Sequence, residues 1–438
     1  MSDPALLSLA QAKTVPPREL LQACRARIER WQPRINAFLG FREDARAGVP
    51  LAHKDMFYRA GGVSTCGSKI RSGWVANETS AALERLDAAG FADIGRLNMS
   101  EFAYGPTGHN EHFGDCRNPW NPDYITGGSS SGSGAAVAAR LVFGALGSDT
   151  GGSVRLPAAA CGVSGLKTTW GRVSRHGAMP LSHSLDTIGP LARSAEDCAL
   201  LLSAIAGHDA RDPLSAREPV EDYSKLLEKK RALRIAVSSA WMERNAHPEV
   251  AAAVLAAART LDKNPIEVEP PDFDTLSAHC LVVMQAEASA QHSRWMRERP
   301  GDYSPAVRAR LEAGYAIPAT VYLEVLRARA AWLERFCAQT LAAADLYLLP
   351  GIAVQLPTRE QTGAGGGADM PRLLAEITRL TRWVNYLGVP ALAVPCGFDS
   401  RGLPLSLQLV GRPFAEATLL AAGHAYQRAT DWHQRVPV

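Results

Sequence analysis

Two short loops made largely of glycine and serine constrain this chain more than any other feature. The first spans residues 127–134 and reads GGSSSGSG, and the second spans residues 149–155 and reads DTGGSVR. An alanine-rich stretch lies between them. Glycine lets backbone N–H groups approach a ligand closely, and a serine hydroxyl can attack or relay a proton. The two loops therefore indicate a site where a serine attacks and a group of amides holds the resulting negative charge.

Helix-like and strand-like segments alternate along most of the chain, which favours an α/β domain around one sheet. The predicted strands are residues 49–53, 91–97, 144–147, 233–237, 346–349, 390–395 and 405–410. The predicted helices are residues 5–31 (with a second helix starting at Pro17), 79–90, 134–142, 247–261, most of 275–345, and 415–428. A flexible loop is predicted at 363–367. The longest helix of the 275–345 region is predicted to present an apolar face made of Leu323, Leu326, Leu333 and Phe336.

Composition and charge exclude several classes of protein. The chain has 47 basic and 44 acidic residues and no basic stripe with interleaved aromatics, so nucleic acid is not expected as a direct partner. The charge run at 228–231 is interpreted as a solvated helix end. No window has the roughly 18 apolar residues of a membrane span, and the N-terminus does not read as a secretory signal. The eight cysteines form no CxxC pair and no zinc-ligand spacing, so a soluble, cytoplasmic protein with reduced thiols is expected.

Residues in the second loop, together with one lysine, could carry out nucleophilic chemistry. Ser153 follows Thr150, Gly151 and Gly152. The N–H groups of such a turn could converge on an oxyanion, but a serine nucleophile also needs a base. Lys54 ends an apolar segment, and burial could make its amine neutral and usable as a base near pH 7.

The residues alone leave alternatives open. Lys54 could instead pair with Asp55 on the surface, and His176 or His183 could be the base of a Ser-His-Asp arrangement. The first loop lacks the Gly-Lys-Ser/Thr of a Walker phosphate loop and fits a dinucleotide fingerprint poorly. Taken alone, it could be no more than a glycine-rich turn.

These residues resemble the amidase signature family, which includes malonamidase, fatty acid amide hydrolase, peptide amidases and the amidase subunit of glutamyl-tRNA amidotransferase. The spacing is 75 residues from Lys54 to Ser129 and 24 residues from Ser129 to Ser153, as in members of that family. The resemblance continues through residues 157–190 and returns at residues 408–413.

The resemblance implies a large mixed, mostly parallel central sheet covered by helices on both faces, with a helical insertion. It implies one amidase domain over residues 1–438. The expected parts are a signature core at about 50–205, a variable and mostly helical insertion at about 215–345, and a return to the sheet at about 346–438. No linker or internal repeat argues for a second domain.

The resemblance also implies a Ser-cisSer-Lys triad. Ser153 is the expected nucleophile and Lys54 the expected base. Ser129, held after a cis peptide bond from Gly128, is expected to relay the proton between them.

Further residues receive roles by the same resemblance. The residues expected to form the oxyanion hole, with the amide of Ser153, are Thr150, Gly151 and Gly152. The residues expected to support the two loops are Gly128, Ser130, Asp149 and Arg155, the last two as an ion pair. The candidates for the substrate pocket are Met99, Phe102 and Tyr104.

The expected reaction is hydrolysis of a carboxamide in a small molecule through a serine acyl-enzyme, with no cofactor and no metal. Three alternatives stay open: an amidotransferase subunit that makes ammonia from glutamine for a tRNA-acting partner, a carbamate or ureide (biuret-type) hydrolase, and a non-catalytic binding protein on the same scaffold. The chain is rather short for the amidotransferase role. The expected partner is the small-molecule amide, without a membrane, and a homo-oligomer is compatible with the sequence.

Overall fold

The structure is a computed structural model that describes residues 3–42, 45, 47–228, 232–363 and 366–437. Two sequence predictions lie partly outside these residues, namely the charge run at 228–231 and the loop at 363–367. Everything below refers to the described residues.

Eleven strands form one sheet in the described part of the chain. They are β1 (Phe38–Phe41), β2 (Val49–Lys54), β3 (Phe91–Leu97), β4 (Gly144–Asp149), β5 (Ser164–Lys167), β6 (Thr187–Ala192), β7 (Ile235–Val237), β8 (Ile266–Glu267), β9 (Leu346–Pro350), β10 (Ala391–Phe398) and β11 (Pro404–Val410). Their order across the sheet is β1-β3-β2-β4-β6-β5-β10-β11-β9-β7-β8. The seven predicted strands are present. Sequence reasoning missed β1, β5, β6 and β8; β5 and β6 contain glycine or proline, which lowers strand propensity.

The predicted mixed sheet is confirmed, but it contains fewer parallel pairings than expected. In the described residues, four strand pairs are parallel, and they involve β2 with β3 and β4, and β7 with β8 and β9. The other six pairs are antiparallel. Short connections explain part of this difference: β10 and β11 are joined by residues 399–403, whereas a parallel pair needs a crossover of about a dozen residues or more.

Fourteen α-helices accompany the sheet in the described residues. They are α1 (Leu9–Ala12), α2 (Pro17–Ile35), α3 (Ala81–Ala88), α4 (Ser131–Ala138), α5 (Arg155–Cys161), α6 (Ala195–Ile205), α7 (Ser239–Asn245), α8 (Pro248–Leu261), α9 (Phe273–Glu298), α10 (Pro305–Tyr315), α11 (Ala319–Arg335), α12 (Arg359–Thr362), α13 (Met370–Leu387) and α14 (Glu416–Ala429). Helices α3, α6, α8 and α14 form one connected group against the sheet, and α4 and α5 form another. Helices α10, α11 and α13 pack on α9. Among the helices described, none combines the length and apolar character needed to span a membrane.

The region from 275 to 345 is mostly helical, as expected, but its longest helix is α9 and not the one predicted to present the apolar face. Three residues of that face lie on α11, and Phe336 follows its end. Leu323 is 55% exposed, Leu326 and Leu333 pack partly buried on the core, and Phe336 is buried. Val325 is the buried residue within α11 itself. Helix α11 packs on α9 and α13, so it buries a narrow stripe and not a broad face. The division of the chain into core, insertion and return stays a prediction.

The sheet brings Lys54 and the start of the second loop to the same edge. Strands β2 and β4 are parallel neighbours, so the end of β2 at Lys54 and the end of β4 at Asp149 lie on the same side. Helix α4 is buried along its whole length. A Cβ on Gly132 would lie 2.4 Å from the carbonyl oxygen of Ala37, and one on Gly134 would lie 2.8 Å from that of Pro157. Small residues are therefore required here for α4 to pack against these neighbouring backbones.

Candidate active site

The predicted base Lys54 is buried and forms hydrogen bonds to two serine side chains. It is 1% exposed, and its Nζ lies 2.6 Å from Ser129 Oγ and 2.8 Å from Ser148 Oγ. Burial lowers the pKa of Lys54 to about 7, against the opposing charges of Asp186 and Asp149. A substantial fraction of this amine is therefore neutral near pH 7.

The surface ion pair that sequence reasoning left open for Lys54 does not form. Asp55 turns the other way and pairs with Arg96 at 2.9 Å. The carboxylate of Asp55 also accepts the N–H of Thr65 at 3.0 Å. Lys54 therefore forms its hydrogen bonds to Ser129 and Ser148 and no ion pair with Asp55.

Ser129 is the third residue of the first loop. The peptide bond from Gly128 to Ser129 is cis, as the resemblance implied. A Cβ on Gly128 would meet the carbonyl oxygen of Gly105 at 2.7 Å, so this position has room only for glycine. The N–H of Ser130 donates to the carbonyl oxygen of Ser153 at 3.2 Å, and this bond ties the first loop to the second.

Ser153 borders a cavity of about 330 Å³. Its side chain has no hydrogen-bond partner among the residues that the structure describes, and the residue is 8% exposed. The structure thus joins Lys54 to Ser129 directly. It holds Ser153 next to them through the main chain, with no bond between the hydroxyls of Ser129 and Ser153.

The predicted oxyanion hole is corrected at one position. The N–H of Gly152 donates to Asp149 Oδ1 at 2.8 Å, so it is not available to an oxyanion. In the described part of the chain, the N–H groups of Thr150, Gly151 and Ser153 have no acceptor. The carboxylate of Asp149 also accepts the N–H groups of Val154 and Arg155 at the start of α5. These bonds hold the carboxylate beside the Gly152 amide, which donates to its other oxygen.

Asp149 and Arg155 form a buried, two-pronged ion pair. Arg155 Nε lies 3.0 Å from Asp149 Oδ2, and its Nη2 lies 2.9 Å from Oδ1. Burial alone raises the pKa of Asp149, but Arg155 overcomes this and holds that pKa well below its usual range. The remaining Arg155 donors reach Asn385 and Gln408, both at 2.6 Å. The second loop is therefore anchored to α13 and β11.

Several of these partners escaped sequence reasoning. Ser148 directly precedes the second loop, and this position in the sequence could have identified it as a site residue. Asn385 lies more than two hundred residues from the loops and carries no local signal, yet its amide donates to the carbonyl oxygen and to Oδ1 of Asp149, both at 2.9 Å.

The predicted pocket residues are only partly correct. Tyr104 lines the cavity. Met99 is fully buried, and Phe102 packs in the core against His292 and Trp295, with ring centroids 4.5 and 5.4 Å away. Sequence reasoning could not separate a core aromatic from a pocket aromatic. The side chains that it missed come from α9, α10 and α13 and include Met284, Arg310 and Arg382.

The two histidines proposed as alternative bases lie elsewhere. His176 contacts Glu78 and His183 contacts Glu287, each at 3.3 Å. Both border a different cavity from the one that Ser153 lines. In the described residues, no histidine borders the Ser153 cavity, so the Ser-His-Asp alternative has no geometric support.

Comparison with known proteins identifies the family of the chain. The family model described as Amidase matches residues 19–420. A glutamyl-tRNA(Gln) amidotransferase subunit from Thiobacillus denitrificans is 37% identical, with 100% of this chain and 99% of the relative covered. A structure solved in work on a vestigial protein complex and the evolutionary origins of an s-triazine catabolic enzyme, there with inhibitor bound, superposes with a TM-score of 0.90 at 33% identity, covering 98% of both chains.

A second solved structure, 6-aminohexanoate cyclic dimer hydrolase complexed with substrate, superposes with a TM-score of 0.89 at 27% identity. It covers 100% of this chain and 98% of that one. The family model, the relative and the two solved structures each match most of the chain. The chain therefore belongs to the amidase family.

Proposed function

We propose that the protein hydrolyses a carboxamide C–N bond, other than a peptide bond, in a small molecule through an acyl-enzyme on Ser153. The observation that carries this proposal is the buried Lys54 amine, 2.6 Å from Ser129 Oγ with a pKa of about 7, beside a serine that borders a cavity. A neutral amine in that position is a base for a serine hydroxyl.

In the first half-reaction Ser153 Oγ attacks the amide carbonyl carbon. Its proton passes to Ser129 Oγ while Ser129 gives its own proton to Lys54 Nζ. The negative charge on the carbonyl oxygen is received by the unpaired N–H groups of the second loop, those of Thr150, Gly151 and Ser153. The same relay then returns the proton to the leaving nitrogen, the C–N bond breaks, and ammonia or an amine departs.

In the second half-reaction water attacks the ester on Ser153. The water proton follows the same relay towards Lys54 and returns to Ser153 Oγ as the ester bond breaks. This relay needs a hydrogen bond between the hydroxyls of Ser153 and Ser129. In the proposed mechanism, a serine side chain rotates when substrate binds and forms this bond. Catalytic hydrogen bonds often tighten only in the substrate complex.

The role of Ser148 gives a first prediction. Ser148 Oγ lies 2.8 Å from Lys54 Nζ, so it orients the amine and stabilises its charged form. Ser148→Ala is expected to lower kcat/KM about tenfold and to shift the pH at which activity rises to a lower value, because the ammonium loses an acceptor. A pH–rate profile of the variant measures both effects. A lower rate with an unchanged pH profile would mean that Ser148 acts only on packing.

Two alternatives stay open. Full-length similarity to glutamyl-tRNA(Gln) amidotransferase subunits favours release of ammonia from glutamine for a partner. A ureide or carbamate substrate is the other alternative, because the same acyl-transfer chemistry accommodates it. Assays of ammonia release from glutamine, with and without candidate partner proteins, separate the first alternative from a self-sufficient amidase.

A panel of primary amides, anilides, carbamates and ureides, assayed for release of ammonia or amine, tests the proposal. A fluorophosphonate probe followed by peptide mapping is expected to label Ser153 and to leave Ser153→Ala unlabelled. Absence of labelling on the folded protein, together with no turnover in the panel, would favour the non-catalytic binding protein and overturn the proposal.

A further inference from the structure

The cavity beside Ser153 contains two guanidinium groups and no acidic side chain. Arg310 from α10 and Arg382 from α13 both border it. Among the described residues that border the cavity, none is an aspartate or a glutamate. Two positively charged residues thus border the same cavity as the reactive serine, and the described residues of the cavity wall include no anionic side chain.

Arg382 has no hydrogen-bond or ion-pair partner among the described residues. Its neighbours on the same helix behave differently: Arg379 pairs with Asp274 at 2.8 Å, and Arg372 pairs with Glu376 at 2.8 Å. The Arg382 side chain passes beside the oxyanion amides, because a Cβ on Gly151 would lie 3.5 Å from Arg382 Cγ. The aliphatic part of Arg382 therefore lies beside the second loop, and the residue borders the same cavity as Ser153.

Arg310 is also incompletely used. It donates one hydrogen bond to the carbonyl oxygen of Tyr104 at 2.7 Å, which leaves most of its five donors unassigned. Burial lowers the pKa of Arg310, and it lowers that of Arg382, which the charge of Arg310 depresses further. Two partly desolvated cations of this kind are costly unless an anion joins them.

We propose that Arg310 and Arg382 bind a carboxylate of the substrate, so that the protein selects amides carrying a free carboxylate group. This inference rests on the proposed function, because it assigns a substrate class to the cavity of Ser153. Arginine forks match carboxylates through paired, charge-assisted hydrogen bonds. Leu281, Met284 and Leu374 also border the cavity, which suits an aliphatic spacer between the carboxylate and the amide.

The same wall disfavours a substrate with an ammonium group. Glutamine carries both an α-carboxylate and an α-ammonium, and the described residues around the cavity provide no carboxylate for the ammonium. The analogue without the amino group, glutaramate, presents the carboxylate alone. We expect glutaramate to be the better of this pair.

The kinetic test uses ω-amic acids from malonamate to adipamate. Each is compared with the neutral amide in which an isopropyl group replaces the carboxylate. In the native protein kcat/KM for the best acid is expected to exceed that of its neutral partner by about 10- to 100-fold, the usual range for hydrogen bonds to a charged group. Arg382→Met is expected to bring this ratio close to one, mainly through KM, and Arg382→Lys to keep part of it.

Arg379→Met is the matched control. It removes an arginine from the same helix, three residues away, but one that pairs with Asp274 outside the cavity. The ratio of acid to neutral amide is expected to stay at the native value. A control variant that lost the ratio as strongly as Arg382→Met would assign the effect to general charge and would overturn the proposal.

A binding measurement decides the question without turnover. Dicarboxylates from malonate to adipate, at constant ionic strength adjusted with chloride, are expected to raise the Tm of Ser153→Ala by about 2 °C or more. In the double variant Ser153→Ala/Arg382→Met the shift is expected to disappear. Arg382→Met by itself is not expected to lower the Tm, because Arg382 makes no ion pair to lose.

The outcomes separate the two proposals. Equal kcat/KM for acids and their neutral partners, no dicarboxylate shift, or a preference for glutamine over glutaramate would each overturn carboxylate selection and leave amide hydrolysis standing. Failure of Ser153 to react with the fluorophosphonate probe, with the dicarboxylate shift intact, would instead remove the hydrolase and keep the carboxylate site.

Discussion

Ser153→Ala is expected to lower kcat by roughly 10⁴- to 10⁶-fold, the loss seen when a serine nucleophile is removed. The nearby serines of the first loop cannot replace it, because Ser131 and Ser133 donate to the carbonyl oxygens of Asn98 and Leu146. The variant is expected to fold normally, since the Ser153 hydroxyl makes no hydrogen bond among the described residues. Turnover of the best amide and the Tm together check both parts of this prediction.

Ser133→Ala is a matched control for that variant. It removes one hydroxyl from the neighbouring helix α4, where the group donates to Leu146. Its activity is expected to stay within a few-fold of the native value. An active Ser153→Ala protein, or a Ser133→Ala protein as inactive as Ser153→Ala, contradicts the assignment of the nucleophile.

The second prediction concerns Lys54 and pH. A base must be neutral to accept a proton, and the pKa of Lys54 is lowered by burial to about 7. Activity of the native protein is therefore expected to fall about tenfold for each pH unit below 7 and to level off above it. Lys54→Ala is expected to lose at least about a thousandfold of the rate near pH 7, and less at high pH, where hydroxide supplies the missing base. Profiles of kcat/KM from pH 5.5 to 9.5 measure these changes.

A second buried lysine offers the control for this profile. Burial also lowers the pKa of Lys167 to about 7, but its ammonium donates to the carbonyl oxygens of Thr168 and Val389 and not to a serine. Lys167→Met is expected to keep the break in the profile at the same pH. A flat native profile between pH 6 and 9, or a break that moves with Lys167, removes Lys54 from the mechanism.

Local pattern predicted much of this fold correctly. The segments 49–53 and 91–97 form β2 and β3, and the helix predicted for 247–261 runs from Pro248 to Leu261. The reason is that apolar periodicity and chain breakers act within a few residues of each other. The two loops were recognisable for the same reason, because their glycines and serines are consecutive.

The pairing of strands and the surroundings of individual side chains and amides were harder to predict from the sequence. The share of antiparallel neighbours depends on which distant strands meet, as β5 and β10 do. The Gly152 amide was assigned to the oxyanion hole, but the carboxylate of Asp149 claims it. Phe102 was a pocket candidate, but its aromatic neighbours His292 and Trp295 belong to the later helix α9. Each of these outcomes depends on groups that come together only in the folded chain.

The sequence by itself determined the two loops and the α/β class, because these follow from consecutive residues and their periodicity. The roles of Lys54, Ser129 and Ser153 were implied by the family resemblance and stay a prediction. Tertiary structure alone decided the acidity of Lys54 and the choice of free amides in the second loop. It also decided that Arg310 and Arg382 border the same cavity. The physical reason is that desolvation and charge–charge interaction depend on distance in space, and residues far apart in the chain contribute to both.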